Sequence, residues 1–181
     1  MFAGRSAAAG RSGKVPWPIR GILAGAAGVT AMTLAYTALR RLRGGQPTGG
    51  AATLADGTPV VGLSGQLGLD YDDTVVPGSI VISILHLPSV IGQHPDDVAL
   101  ALRWGYGSVF GLAHVGLREM LGEPWASVLF GGTLLSVTFT MFPLLGHTPP
   151  PSQWPADVIL TALGTHVAYV VAAALTDDVL R

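Results

Sequence analysis

One long stretch of this sequence has no charged residue, and it constrains the fold more than any other feature. No Asp, Glu, Lys or Arg occurs between Glu123 and Asp157. The proline-rich run Thr148–Pro151 separates an apolar segment, Trp125–Leu145, from a second one, Val158–Thr176. A helix of about 20 apolar residues crosses a hydrocarbon core of about 30 Å. The two segments therefore predict two transmembrane helices.

Two further segments have the same character. Gly21–Leu39 contains no charge and is bracketed by arginines, and Val98–Leu117 is interrupted only by Arg103. Only 12% of the 181 residues are charged, against roughly 25% in soluble domains. We therefore predict an all-α membrane protein, a bundle of about four transmembrane helices. A soluble all-α protein that buries these helices is the alternative.

The segments between the helices complete the predicted organisation. Residues 1–18 are expected to form a flexible basic arm, and residues 19–43 the first transmembrane helix. Residues 44–95 carry several aspartates, and Pro77 and Pro88 interrupt their apolar part, which predicts a long extramembrane loop with a short interfacial helix. Residues 96–181 are expected to form a three-helix transmembrane region.

The basic residues predict how the chain is oriented. Four spans place both termini on one side of the membrane, and that side holds six of the ten Lys and Arg residues. The positive-inside rule then favours cytoplasmic termini, although the arginines at 40, 41 and 43 argue the other way. The basic start also resembles a cleaved signal peptide. Its apolar run exceeds the usual 7–15 residues, which favours a retained span.

The composition argues against several classes of function. The chain contains no cysteine, which excludes disulfides, thiolate nucleophiles and Cys-based metal centres. The net charge is −1, and basic residues do not alternate with aromatic ones, so nucleic acid is not an expected partner. Motifs for an esterase elbow, a phosphate loop, a zinc protease or a dinucleotide fold are missing. We therefore predict a protein without enzymatic activity or cofactor.

The second predicted span carries five residues at intervals of three or four, which form one stripe on a helix. They are Arg103, Gly107, Gly111, His114 and Arg118. Gly107 and Gly111 form a pair of small residues that lets another helix approach closely. Ionisable groups in a membrane usually face the protein interior, so His114 is expected to lie there.

The third and fourth spans have comparable stripes. The third offers Gly132, Ser136 and Thr140, and the fourth offers Ala162, His166, Tyr169 and Ala173. These faces are expected to meet around His114 and to form a polar bundle interior.

Three interpretations of the two histidines follow. In the first, they and the hydroxyl groups are hydrogen-bond partners between helices. In the second, His114 and His166 bind a haem iron or a metal, because neutral imidazole is a common ligand. In the third, the polar interior moves protons or a small solute. The first interpretation makes the protein structural, and the others give it a transport or cofactor function.

The C-terminal part of the chain resembles a known family. Segment Phe142–Val171 closes a span with the turn PLLGHTPP and leads to a final span that contains Gly164 and His166. This pattern resembles the YagU-type family of bacterial inner-membrane proteins, and the likeness extends over roughly residues 98–175. The resemblance implies a four-span inner-membrane protein with a role in the envelope or its stress response, and no catalytic residues. Its expected surroundings are the lipid bilayer, with a second copy or another membrane protein as partner.

Overall fold

The computed structural model describes residues 15–42, 84–86, 88, 95–146 and 149–181. Within these ranges the chain forms four α-helices and no strand. They are α1 (Trp17–Leu42), α2 (Pro95–Leu121), α3 (Trp125–Gly146) and α4 (Ala156–Leu180). A short 3-10 helix, Pro151–Gln153, precedes α4. The predicted all-helical bundle is confirmed for this part of the chain.

Three of the helices are long and apolar enough to cross a membrane. The qualifying stretches are Trp17–Leu39 in α1, Trp125–Leu145 in α3 and Ala156–Leu180 in α4. α2 is 27 residues long, but it carries charged residues towards both of its ends and is not among the three. Among the described residues, the structure thus supports three of the four predicted spans.

The predicted loop and arm lie largely outside the described residues. Of the loop at 44–95, the structure describes only 84–86, 88 and 95, so most of the predicted interfacial helix lies outside the described part. The arm at 1–18 is described from residue 15 onward. Because α1 begins at Trp17, the last two residues assigned to the arm belong to the helix instead.

The four helices run alternately in opposite directions. The start of α1, the end of α2, the start of α3 and the end of α4 meet at one end of the bundle. We call it the ionic end, because Arg20, Arg118 and Asp177 form ion pairs there. α1 packs against α2 and α4, and α3 packs against the same two helices. α1 and α3 therefore occupy opposite corners of the bundle.

Glycines bring α1 and α2 into backbone contact. A Cβ atom added to Gly25 would clash with the carbonyl oxygen of Gly107, and one added to Gly111 would clash with that of Gly21. Such close approach is what paired small residues permit between membrane helices. The structure places Gly107 and Gly111 in a helix contact, as their spacing predicts.

The predicted stripe on α4 faces the core. All four of its residues are buried: Ala162, His166, Tyr169 and Ala173. The ring of Tyr169 covers Gly28 of α1, and its hydroxyl donates a hydrogen bond to the carbonyl oxygen of Gly107 in α2 at 2.7 Å. Tyr169 thereby joins α4 to both neighbouring helices.

Candidate functional site

A buried carboxylate at the ionic end is surrounded by three arginines. Asp177 is fully buried. Its Oδ2 accepts hydrogen bonds from Arg118 Nη1 at 2.5 Å and from Arg181 Nε at 3.0 Å. Its Oδ1 lies 3.3 Å from Arg20 Nε. Because the arginines come from α1, α2 and the end of the chain, this one carboxylate links three helices.

Arg118 extends the same cluster towards α3. Its Nε donates to Glu123 Oε1 at 2.5 Å, its Nη2 donates to Asp178 Oδ1 at 2.7 Å, and its Nη1 also donates to the carbonyl oxygen of Ala174 at 3.0 Å. A buried guanidinium group is tolerated when its charge is paired and its donors are used. Arg118 meets both conditions and connects α2 to α4 and to the turn before α3.

Two carboxylates at the rim of the cluster are held in their charged form. The hydrogen bond from Arg20, assisted by the charge of Arg181, lowers the pKa of Glu119. Burial acts to raise the pKa of Glu123, but hydrogen bonds from Ser127 and Arg118 outweigh it, so this pKa is also lowered. Both groups therefore remain ionised at neutral pH and sustain the ion pairs.

A hydrogen-bonded chain runs from this cluster to a buried histidine. Ser127 Oγ donates to Glu123 Oε1 at 2.7 Å and lies 3.0 Å from His114 Nε2. Since the serine proton is directed to Glu123, we assign the proton of the neutral imidazole to Nε2, which then donates to Ser127. The ring stacks on Phe130, with 4.8 Å between centroids. Its Nδ1 is buried and has no hydrogen-bond partner in the described part of the chain.

His166 contacts α3 at a different level. Its Nδ1 donates to the carbonyl oxygen of Ala162 at 2.8 Å, and its Nε2 lies 3.3 Å from Thr138 Oγ1. Ser127 and Thr138 are eleven residues apart in α3, which corresponds to about 16 Å along the helix. The expectation that the two histidines meet is therefore wrong, and they cannot bind one metal or haem iron together.

The prediction that Ser136 and Thr140 line the bundle interior is also wrong. Both are exposed on the outward face of α3, where they border a groove of about 620 Å³ together with Gly132. The hydroxyl of Ser136 donates to the carbonyl oxygen of Gly132 in its own helix at 2.8 Å, so it needs no partner from another helix. The buried hydroxyl of α3 is that of Thr138.

The stripe on α2 divides among three neighbours. Gly107 and Gly111 face α1, and Arg103 Nη1 lies 3.5 Å from Thr33 Oγ1 of α1. His114 instead contacts Ser127 of α3, and Arg118 pairs with Asp177 of α4. The predicted stripe therefore contacts three helices.

Sequence reasoning missed most members of the ionic cluster. The cluster residues that it did not single out are Arg20, Glu119, Glu123, Asp177, Asp178 and Arg181. It also missed Ser127 and Thr138, the hydroxyl partners of the two histidines. A usable signal existed, because an antiparallel bundle brings the start of α1 to the ends of α2 and α4, where opposite charges occur. No group of three His, Asp or Glu side chains suited to a metal ion occurs in the described ranges. No family model matches the chain, and neither a curated protein nor a solved structure shows significant similarity to it.

Proposed function

We propose that this chain is a non-enzymatic, multi-pass protein of the bacterial inner membrane, with a structural or envelope-stress role. One observation carries the proposal: polarity is inverted relative to a water-soluble bundle. Leu34, Leu129 and Leu160 point outward from α1, α3 and α4 and are 64, 51 and 64% exposed, whereas Asp177 and His114 are fully buried. A surface of this kind is unfavourable in water and suits hydrocarbon.

The ends of the helices support the same arrangement. Trp17 and Trp125 begin α1 and α3 at the ionic end, and each is more than half exposed. Tryptophan is enriched at this level of membrane proteins, because its indole prefers the boundary between lipid and water. The ion pairs at the same level then lie near water rather than in the middle of the bilayer. α2 packs lengthwise against α1 and is proposed as the fourth span.

Extraction of membranes tests the location. Membranes from expressing cells are washed with alkaline carbonate and with high salt, and then treated with a mild detergent. We expect the protein to stay in the pellet until detergent is added, because its outward apolar side chains contact acyl chains. Release by carbonate as a monodisperse species in plain buffer would overturn the proposal.

The orientation is tested with single cysteines, since the natural chain has none. Leu42 and Val179 are both 84% exposed and lie at opposite ends of the bundle. A membrane-impermeant maleimide added to intact spheroplasts is expected to label Leu42→Cys and to spare Val179→Cys until the cells are opened. The reverse pattern would place the termini outside.

The structural role assigned to the histidines is tested on purified protein. His114 and His166 already share hydrogen bonds with α3 hydroxyl groups, which supports their use as contacts between helices. We expect detergent-purified protein to show no Soret band and no stoichiometric metal. A haem spectrum lost in His114→Ala or His166→Ala would instead support a cofactor-binding function.

The physiological role needs a separate test. A strain lacking the protein is expected to become sensitive to agents that perturb the envelope, and the wild-type chain should restore resistance. Asp177→Ala should not restore it, because that variant loses the carboxylate that joins three helices. Equal resistance of the deletion and parent strains would contradict an envelope-stress role.

A further inference from the structure

α3 is held to the bundle by few contacts. Its buried side chains in the described part of the chain are Ala126, Phe130 and Thr138, whereas α4 buries nine residues. A Cβ atom at Gly131 would meet Val170 only at ordinary contact distance, 3.4 Å. The attachment of α3 near the ionic end therefore depends strongly on Phe130 and on the hydrogen bond between Ser127 and His114.

Both of these contacts involve the ring of His114, which is in a sensitive position. Its Nε2 donates a hydrogen bond to Ser127, and one of its faces stacks on Phe130. A second proton would have to go to Nδ1, which is buried and has no acceptor in the described part of the chain. Protonation would thus create a buried N–H without a partner and place a positive charge in a buried position, and both are costly.

Charged groups reach this ring from every neighbouring element. Arg118 lies one turn further along the same helix, Glu123 approaches through Ser127, and Asp177 approaches from α4 with Arg20 of α1 beside it. The two carboxylates favour a charged ring, and Arg118 opposes it. Neither carboxylate is a hydrogen-bond partner of Nδ1.

We propose that His114 is a pH-sensitive latch for α3. The neutral ring stacks on Phe130 and donates a hydrogen bond to Ser127, and these two contacts keep α3 docked. When the ring takes up a proton from solvent at the ionic end, the docked state is penalised and α3 separates from α2 and α4. α1, α2 and α4 stay together, because glycine packing and the ion pairs of Asp177 join them independently of His114. This device goes beyond the proposed structural role and does not depend on an envelope-stress function.

Distances between spin labels test the latch in the full-length protein in lipid nanodiscs. Labelled cysteines replace Thr30 of α1 and Val128 of α3, which lies beside Ser127; both are exposed. The control pair uses Thr30 and the exposed Leu160 of α4. On lowering the pH from about 7.5 to about 5, across the range in which histidine titrates, the α1–α3 pair is expected to gain a second, longer distance. The α1–α4 pair should stay unchanged.

Two substitutions identify the responsible group. His114→Gln retains an N–H for Ser127 and cannot gain a charge, so the longer distance should not develop. His166→Gln makes the same chemical change at the other histidine and should preserve the response. A pH response that survives in His114→Gln, or no response in the natural sequence, would overturn the proposal.

A direct titration keeps the proposal testable even if His114→Gln fails to fold. Nitrogen-15 resonances of the imidazole rings are followed in the unsubstituted protein over the same pH range. The midpoint of the His114 signal should coincide with the midpoint of the distance change. Midpoints that clearly differ would assign the release of α3 to another group and would refute the latch.

Discussion

α1 and α3 contact the same two helices from opposite corners of the bundle, yet they are held by different means. α1 meets α2 backbone to backbone through Gly25 and Gly111, and its Arg20 pairs with the buried Asp177. α3 meets its neighbours through side chains: Phe130, two hydroxyl groups, and two further aromatic rings, Phe139 and Phe142, which pack on the buried Trp154 just before α4.

The difference shows what would hold these helices together in the proposed bilayer. Lipid tails are as apolar as leucine, so exclusion from solvent would give little gain there, and close packing and polar contacts between helices would decide the contact. Hydrogen bonds between membrane helices average well under 2 kcal/mol. α1 should therefore be the firmly held helix and α3 the loosely held one, and the following predictions test this contrast.

The largest effect is expected at the carboxylate that anchors α1. Asp177→Ala leaves Arg20 and Arg118 without their shared buried partner, which should lower the free energy of unfolding by about 3–5 kcal/mol. Equilibrium unfolding in mixed micelles would measure the loss. Asp178→Asn is the control, since this side chain is 55% exposed and its ion pair should contribute about 1 kcal/mol or less. Equal stability of the two variants would refute the anchoring role.

The glycine contact of α1 should give the next largest effect. In Gly111→Ala the new methyl group meets the backbone of α1, which cannot move aside as a flexible side chain can, so we expect a loss of about 1–3 kcal/mol. The control is Gly132→Ala on the outward face of α3, where no atom of the described residues lies within 4 Å of the new methyl group. It should be neutral or slightly stabilising because alanine favours helix. A loss of stability in Gly132→Ala as large as that in Gly111→Ala would show that a partner covers the outward face of α3.

The hydrogen bonds that hold α3 should each contribute less. Ser127→Ala and Thr138→Val remove the hydroxyl partners of the two histidines, and each should cost about 0.6 kcal/mol and at most about 2. Ser136→Ala is the matched control, because that hydroxyl bonds only to its own helix. If either variant lost as much stability as Asp177→Ala, the conclusion that α3 is held less firmly than α1 would be wrong.

The smallest effect is expected from acid titration at the rim of the ionic cluster. Glu119 and Glu123 have lowered pKa values in the folded state. They stabilise the fold above the pKa of the unfolded chain, about 4.3, and this contribution is lost as the pH falls through the lower folded values. Stability should therefore decline below about pH 4, and less steeply in Glu123→Gln. A rise in stability as the pH falls over that range would contradict the stabilising role of these ion pairs.

The contrast also explains which contacts could be predicted. The glycines of α2 and the stripe of α4 were located by spacing, since small or buried residues at intervals of three and four lie on one helix face. The same reasoning failed for Ser136 and Thr140. α3 is apolar around its whole circumference, so its sequence does not show which side faces the bundle. A hydroxyl that bonds to its own backbone can face lipid, which makes polarity a poor guide to orientation.

Local sequence patterns predict correctly that the described part of the chain is helical and apolar, and roughly where its helices begin and end. These properties depend on about 20 neighbouring residues at a time and on the prolines and charges that bound them. The packing of the helices is needed to know that Arg20 pairs with Asp177, that His114 and His166 contact different levels of α3, and which face of α3 is buried. Those outcomes depend on the rotation and relative height of whole helices. Both are fixed by contacts between residues far apart in the chain, which no local pattern encodes.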